Sequence, residues 1–343
     1  MFKNKKSITL FLTCFLLAAA GPIAAKKKDK VASDGGEITG APVLWREPVD
    51  IASRNLLYGP GGKEHAPHGA MTFVSEDLDG TNPKFVVRDE DGVKWKLKLG
   101  AESKPEPVAS HLVWSVGYFA NEDYFLPEVQ VKNLPAHVHR GQKWIGADGT
   151  MRDVRLKRYL AGEKKIGFWE WRNNPFADTR ELNGLRVMMA VINNWDLKDA
   201  NNAVYREKHS GQGSGQIYMV SDLGASFGTT YFERNHEKAK GNLESYQRSK
   251  FIRKIDGDFV DFDDPHRPAT IIAINPHEFV SRLNLEWIGR HIPRADARWV
   301  GQLLAKLSPQ QIRDAFRAGG YSPEEVEGFA TVVESRIAEL NKL

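Results

Sequence analysis

Asn193-Asn194-Trp195-Asp196-Leu197-Lys198-Asp199-Ala200-Asn201-Asn202, with Tyr218-Met219-Val220-Ser221-Asp222-Leu223-Gly224 further on, is the stretch on which the reading of this chain turns. A helical apolar pattern precedes it. Asp178 or Thr179 caps a helix that carries Leu185, Val187, Met188, Met189, Val191 and Ile192. Strand patterns follow, at Ala203-Val204-Tyr205 and at Ile217 to Val220. The polar segment is thus a loop between a helix and a strand pair, and Asp222 stands at the end of the second strand, before a glycine turn. Asp and Asn are common in loops because their side chains satisfy turn backbones, but the spacing here is more particular than that. Asp196 and Asn201 are five positions apart, and Asp222 follows Asn201 by 21. Phosphoryl transfer needs an acid beside the attacking hydroxyl and oxygen ligands for magnesium beside the phosphates. Asp196 suits the first role; Asn201 and Asp222 suit the second.

Working outward toward the N-terminus, Ala70 to Val74 and Phe85-Val86-Val87-Arg88 are apolar runs. Asp89-Glu90-Asp91-Gly92 is a turn, and Val93-Lys94-Trp95-Lys96-Leu97-Lys98-Leu99 alternates strictly, so Phe85 to Leu99 predicts a hairpin. Lys94, Lys96 and Lys98 share one face of the second strand. A lysine there reaches the α- and β-phosphates of a nucleotide; a solvated strand face would read the same way. Lys98 is the expected phosphate lysine because it lies nearest the next helix, with Lys96 second. That helix is predicted over Pro107 to Gly117, with Val108, Leu112, Val113 and Val116 at helical spacing. Glu106, at its start, is positioned to hold the lysine as an ion pair, and Glu102 competes for the role. An acid at a helix start is also favoured by the helix dipole alone. Further strands are expected at 129–134 and 154–160. Residues 225–268 read as irregular and polar, and the remainder as helices over 276–283, 295–307, 309–318 and 323–340. A β-rich half therefore precedes a helix-rich half.

Asp-x-x-x-x-Asn followed by Asp-x-Gly is the spacing of protein kinases. It implies an α+β, two-lobed protein-kinase-like fold, with a β-rich N-lobe over 43–152 and a helical C-lobe over 153–343. Gly80-Thr81-Asn82-Pro83-Lys84-Phe85, the hairpin ending Lys96-Leu97-Lys98-Leu99-Gly100, and Pro105-Glu106 with its helix resemble the HipA-type kinases, which belong to an atypical group that also includes the phosphoinositide lipid kinases. In that family a Gly-x-Gln-x-Lys loop covers the nucleotide phosphates; Gly80, Asn82 and Lys84 stand in its place, with Asn for Gln. The family's Asp-x-His-x-x-Asn loop matches Asp196 to Asn201, with Lys198 for His, and its metal Asp matches Asp222. The resemblance covers roughly residues 70–230. It implies an ATP- and Mg2+-dependent phosphotransferase acting on an unknown protein or small-molecule acceptor. Two rivals share the same residues: a non-catalytic binding module, and transfer of another group such as AMP.

Residues 1–25 carry Lys3, Lys5 and Lys6, then an apolar run from Ile8 to Ala20, then Ile23-Ala24-Ala25. That order predicts a secretory signal peptide cleaved after Ala25, and hence a periplasmic or extracellular protein. Cys14, the one cysteine, leaves with it, which excludes disulfide and thiolate chemistry from the mature chain. Three lysines and no acid are removed, lowering the formal charge from +4 to +1. A near-neutral body argues against a nucleic-acid partner, and no second apolar segment reaches membrane-spanning length. Residues 26–42 read as a disordered leader. His65 with His68, and His137 with His139, lack an accompanying ligand set and read as surface histidines. The acidic run from Asp256 to Asp264 misses calcium-loop spacing.

Overall fold

In the computed structural model, which describes residues 40–80, 82–160, 162, 164–206, 215–229, 239–263 and 284–343, a short strand β1 (Pro42–Val43) leads into a five-stranded barrel. The barrel consists of β2 (Met71–Asp77), β3 (Lys84–Arg88), β4 (Lys94–Lys98), β5 (Asp123–Lys132) and β6 (Thr150–Arg158). It closes in the order β2-β3-β4-β6-β5. The predicted hairpin is β3–β4, pairing Phe85 with Leu97 and Val87 with Trp95. Asp89 pins its turn by accepting from the Val93 amide and the Trp95 indole, each at 2.8 Å. Alternation sends Met71, Phe85, Val87, Trp95, Leu97, Tyr124, Val131, Met151 and Leu156 into the barrel as one core. Lys84, Lys96, Lys98, Arg155 and Lys157 are left on the outer face.

Helix α1 (Pro105–Ser115) packs against that face and starts two residues before the predicted position, with Pro105 in its first turn. The expected boundary at 152 falls inside β6, which pairs with β4 as far as Arg158 and with β5 as far as Lys157. The strands expected at 129–134 and 154–160 are likewise the ends of longer ones. Charged residues at outward positions, among them Glu128, Arg152 and Asp153, masked the alternation.

Beyond the barrel, β7 (Lys164–Gly167), α2 (Arg180–Val191), β8 (Asn202–Arg206) and β9 (Gln216–Val220) carry the polar loop. Thr179 caps α2, its hydroxyl accepting from the Leu182 amide at 3.2 Å. The sheet order is β1-β9-β8-β7. The register Pro42↔Gln216, Val43↔Ile217 is parallel, so the expected leader is already paired at Pro42. The part of the leader before Gly40, and the expected signal peptide, lie outside the described residues.

The region expected to be irregular contains α3 (Leu243–Arg248) and an antiparallel pair, β10 (Ile252–Asp256) and β11 (Phe259–Phe262), which continues to β12 (Ile292–Pro293). Its strands escaped the sequence reading because β10, Ile-Arg-Lys-Ile-Asp, is mostly charged and exposed. Helices α4 (Arg294–Leu304), α5 (Pro309–Ala318) and α6 (Pro323–Asn341) close the fold, the last two opening on Ser-Pro capping boxes. The helix expected over 276–283 lies outside the described residues. The described residues pack as one compact unit, whose larger core joins α1, α2, α4, α5 and α6. Among the described residues no helix is long and apolar enough to cross a membrane.

Candidate active site

Register brings the functional side chains together. Lys84 on β3 lies opposite Lys98 on β4, and Lys98 lies opposite Arg155 on β6, so the three form one row on the outer face of the barrel. Lys98 is buried, and three carboxylates surround its Nζ. Glu102 lies at 2.5 Å, Glu106 at 3.0 Å and Asp222 at 3.4 Å. Burial alone would pull the ammonium down; Asp222, Glu106 and Glu102 outweigh it and hold Lys98 above its ordinary value. Both acids weighed from sequence thus reach the lysine, while Lys96 turns to Asp77 at 2.8 Å.

Glu106 is held from the far side by Arg155, through Nε at 3.0 Å and Nη2 at 2.8 Å. Arg155 also lies 3.6 Å from Asp123, whose other oxygen accepts from Ser110 at 2.7 Å. Desolvation pushes Glu106 upward against the pull of Arg155 and Lys98. Glu102 is shared with Lys240 at 2.5 Å; burial would raise it, but Lys98 and Lys240 keep its carboxyl low. Sequence reading missed Arg155, Asp123 and Lys240. An arginine flanked by Val154 and Leu156 on an apolar strand was the available signal for the first. Lys240 carried none, being far along the chain.

The polar loop is anchored from within. The Asn201 side-chain amide Nδ2 donates to the Asp196 carbonyl at 2.6 Å, closing the five-residue span between them. The Asn201 carbonyl accepts from the amides of Ser221 at 2.8 Å and Asp222 at 3.2 Å, which sets Asp222 beside Asn201. Asn121, just before β5, donates to the Ser221 carbonyl at 2.9 Å and ties the barrel to this turn. Asp196 has Lys198 at 3.6 Å. Burial would raise Asp222, but Lys98 foremost holds it below its ordinary value.

The Gly80 loop joins β2 to β3. Gly80 adopts φ +65°, a left-handed turn that glycine accepts without strain. Arg140 holds the loop by donating to the Gly80 carbonyl and, at 2.9 Å, to the Asp77 carbonyl. Asn82 sits next to Gly100 at the base of this loop. Desolvation lowers Lys84, which lies near Asp77, Lys96, Lys98 and Asp222.

Oxygens of Glu102, Glu106 and Asp222 lie within 4.8 Å of one another, a spacing that a cation could also bridge. Glu102 and Glu106 are buried and committed to Lys98, Lys240 and Arg155, so this trio is the nest of a lysine. Asp222 differs: its side chain is 44% exposed toward the cleft, and with the neighbouring Asn201 it offers the hard oxygen donors that suit magnesium. His65, His68 and His139 instead meet Glu122, Asp91 and Glu76 separately.

No described protein family matches the chain, and no curated protein does. Among solved structures it is similar to the Helicobacter pylori proinflammatory kinase CtkA, at 11% identity and a TM-score of 0.43, over 80% of this chain and 97% of that one. It is also similar to the golgi casein kinase, at 13% identity and a TM-score of 0.30, over 81% and 74%. Likeness at this level identifies neither fold nor activity, and the functional reading rests on the side chains.

Proposed function

We propose that the chain is an exported, kinase-like phosphotransferase, related to the HipA-type group, that uses a magnesium nucleoside triphosphate, ATP being the group's usual donor. The observation that carries this reading is Lys98, buried between Glu106 on α1 and Asp222 at the end of β9. A fixed ammonium paired with a helix acid, next to a metal-type Asp, is what phosphate binding in a kinase requires. Magnesium, when bound, would neutralise charge developing on the phosphates. Asp222 and Asn201 would hold it; Lys98, oriented by Glu106 and Arg155, would hold the phosphates. Gly80, Asn82 and Lys84 would cover them. Asp196 would orient the acceptor hydroxyl and take its proton, with Lys198 moderating its charge. The acceptor is a protein or a small molecule.

The test measures nucleotide binding and label transfer side by side, with γ-labelled ATP and GTP at millimolar magnesium and an envelope extract as acceptor. Asp222→Ala should weaken binding and abolish transfer together. Asp196→Ala should bind normally and lose roughly 10²–10⁴-fold in transfer. A parent protein that binds but never transfers would make the chain a non-catalytic module, and one that binds neither nucleotide would remove the kinase reading.

A further inference from the structure

One step along the strands from Lys98 lies a second row on the same outer face. Val86 on β3, Lys96 on β4, Lys157 on β6 and Asp123 on β5 are mutual partners in register. Residues two apart on a strand are about 6.5 Å apart, so a ligand with phosphates at Lys98 and Asp222 that extends along the strands reaches Val86, Lys96 and Lys157, while Asp123 at the end of the row is buried against Ser110 of α1. The chain also leaves the barrel on this side, since β6 ends at Arg158 and β7 begins at Lys164. Lys165 on β7 feels the charge of Lys96, which places β7 beside the row.

Lys157 is the unusual member. It is half-buried on the outer face of the barrel. Asp123, its neighbour on β5, is taken by Ser110 and Arg155, and Lys96 is taken by Asp77. Among the described residues no ion pair or hydrogen bond engages the Lys157 ammonium. Desolvation lowers its pKa to about 8 against the pull of Asp123, with Arg155 and Lys96 adding to the lowering. A ligand oxygen at this point would give the partly exposed ammonium an acceptor.

Resting on the phosphotransferase reading, we propose that this row receives the nucleotide base and that Lys157 selects a 6-oxopurine, such as guanine, over adenine. An ammonium has three donors and no acceptor. The guanine edge presents N7 and O6, both acceptors, whereas adenine presents N7 beside an amino donor. Guanine therefore satisfies Lys157, and adenine sets a donor against it. Val86 supplies an apolar surface for the ring face.

The experiment is calorimetric titration at pH 7 with the magnesium complexes of GTP, ITP, ATP and tripolyphosphate, on the parent and on Lys157→Met, which keeps the side-chain length. GTP and ITP should bind about ten-fold or more tighter than ATP, and tripolyphosphate more weakly than GTP. Lys157→Met should close the gap by weakening GTP and ITP. The assignment is overturned if ATP binds as tightly as GTP, if tripolyphosphate matches GTP, or if the preference survives in Lys157→Met. The parent comparison decides the first two whether or not the variant folds. Binding of ATP in preference to GTP removes only the base selection; failure of every nucleotide to bind removes the phosphotransferase reading as well.

Discussion

Lys157 faces Lys96 on β4, Asp123 on β5, Arg155 on its own strand and Glu106 on α1, and burial is the largest influence on it. Its native pKa of about 8 lies below the ordinary lysine value of 10.5. Between those values the unfolded chain binds more protons than the native one, so this group's contribution to stability rises with pH there. Below pH 8 the full penalty applies. Lys157→Met should therefore be more stable than the parent at pH 6–7, by on the order of 1–3 kcal/mol. The advantage should shrink as pH approaches 10.5, which urea titrations across that range would read. An advantage that does not change with pH would mean that packing, not charge, sets the difference. Lys98, Glu106, Asp222 and the Asp196–Asn201 span were legible in the sequence because each sits at a fixed offset from a helix start, a turn or a strand end. Arg155, Lys240 and Arg140 were not, because they reach the site through pairings between distant segments.

Element by element, the hairpin, α2 and the closing helices were legible for the same reason: strict alternation, a capping threonine and Ser-Pro starts are local signals. The parallel β1–β9 pair and β10–β11 were not, since pairing partners and charged strands leave no local period. Gly184 shows propensity and packing in opposition. It lies within α2, where alanine would ordinarily gain about 1 kcal/mol. A methyl group there would stand 2.4 Å from the Tyr118 hydroxyl, 2.6 Å from the Trp299 ring and 2.8 Å from Val300. Trp299 and Val300 belong to α4, so the close crossing of α2 and α4 depends on the missing side chain. Overpacking of this kind costs about 1–3 kcal/mol. Gly184→Ala should lower the denaturation midpoint despite its better helix propensity; a raised midpoint would show that α4 moves aside freely.

At the scale of the whole molecule, the segments that precede and flank the barrel strands are fastened to the helical part at several separate points. Gln311 on α5 donates to the Ile51 and Arg54 carbonyls at 2.8 and 2.9 Å, and Tyr118 donates to the Glu181 carbonyl at 2.7 Å. Lys104 reaches the Gly320 carbonyl at 3.2 Å. Helix α1 contributes to the same core as α2 and α5. The two parts should therefore unfold in one cooperative transition, with tryptophan fluorescence and far-ultraviolet dichroism superimposing. Two resolved transitions would show that the barrel is stable without the helices.

The parallel pairing of Pro42–Val43 with Gln216–Ile217 also sets an order in time. Its two halves are separated by the whole barrel, α1 and α2, so the earlier half cannot dock until the later one has been synthesised. At roughly 5–20 residues per second, β1 waits on the order of ten seconds or more after it is made. Through that interval the barrel strands can already pair among themselves. The start of the described chain thus finds its place only after β9 has been made, and β1 completes the β1-β9-β8-β7 sheet at its edge once translation is past the middle.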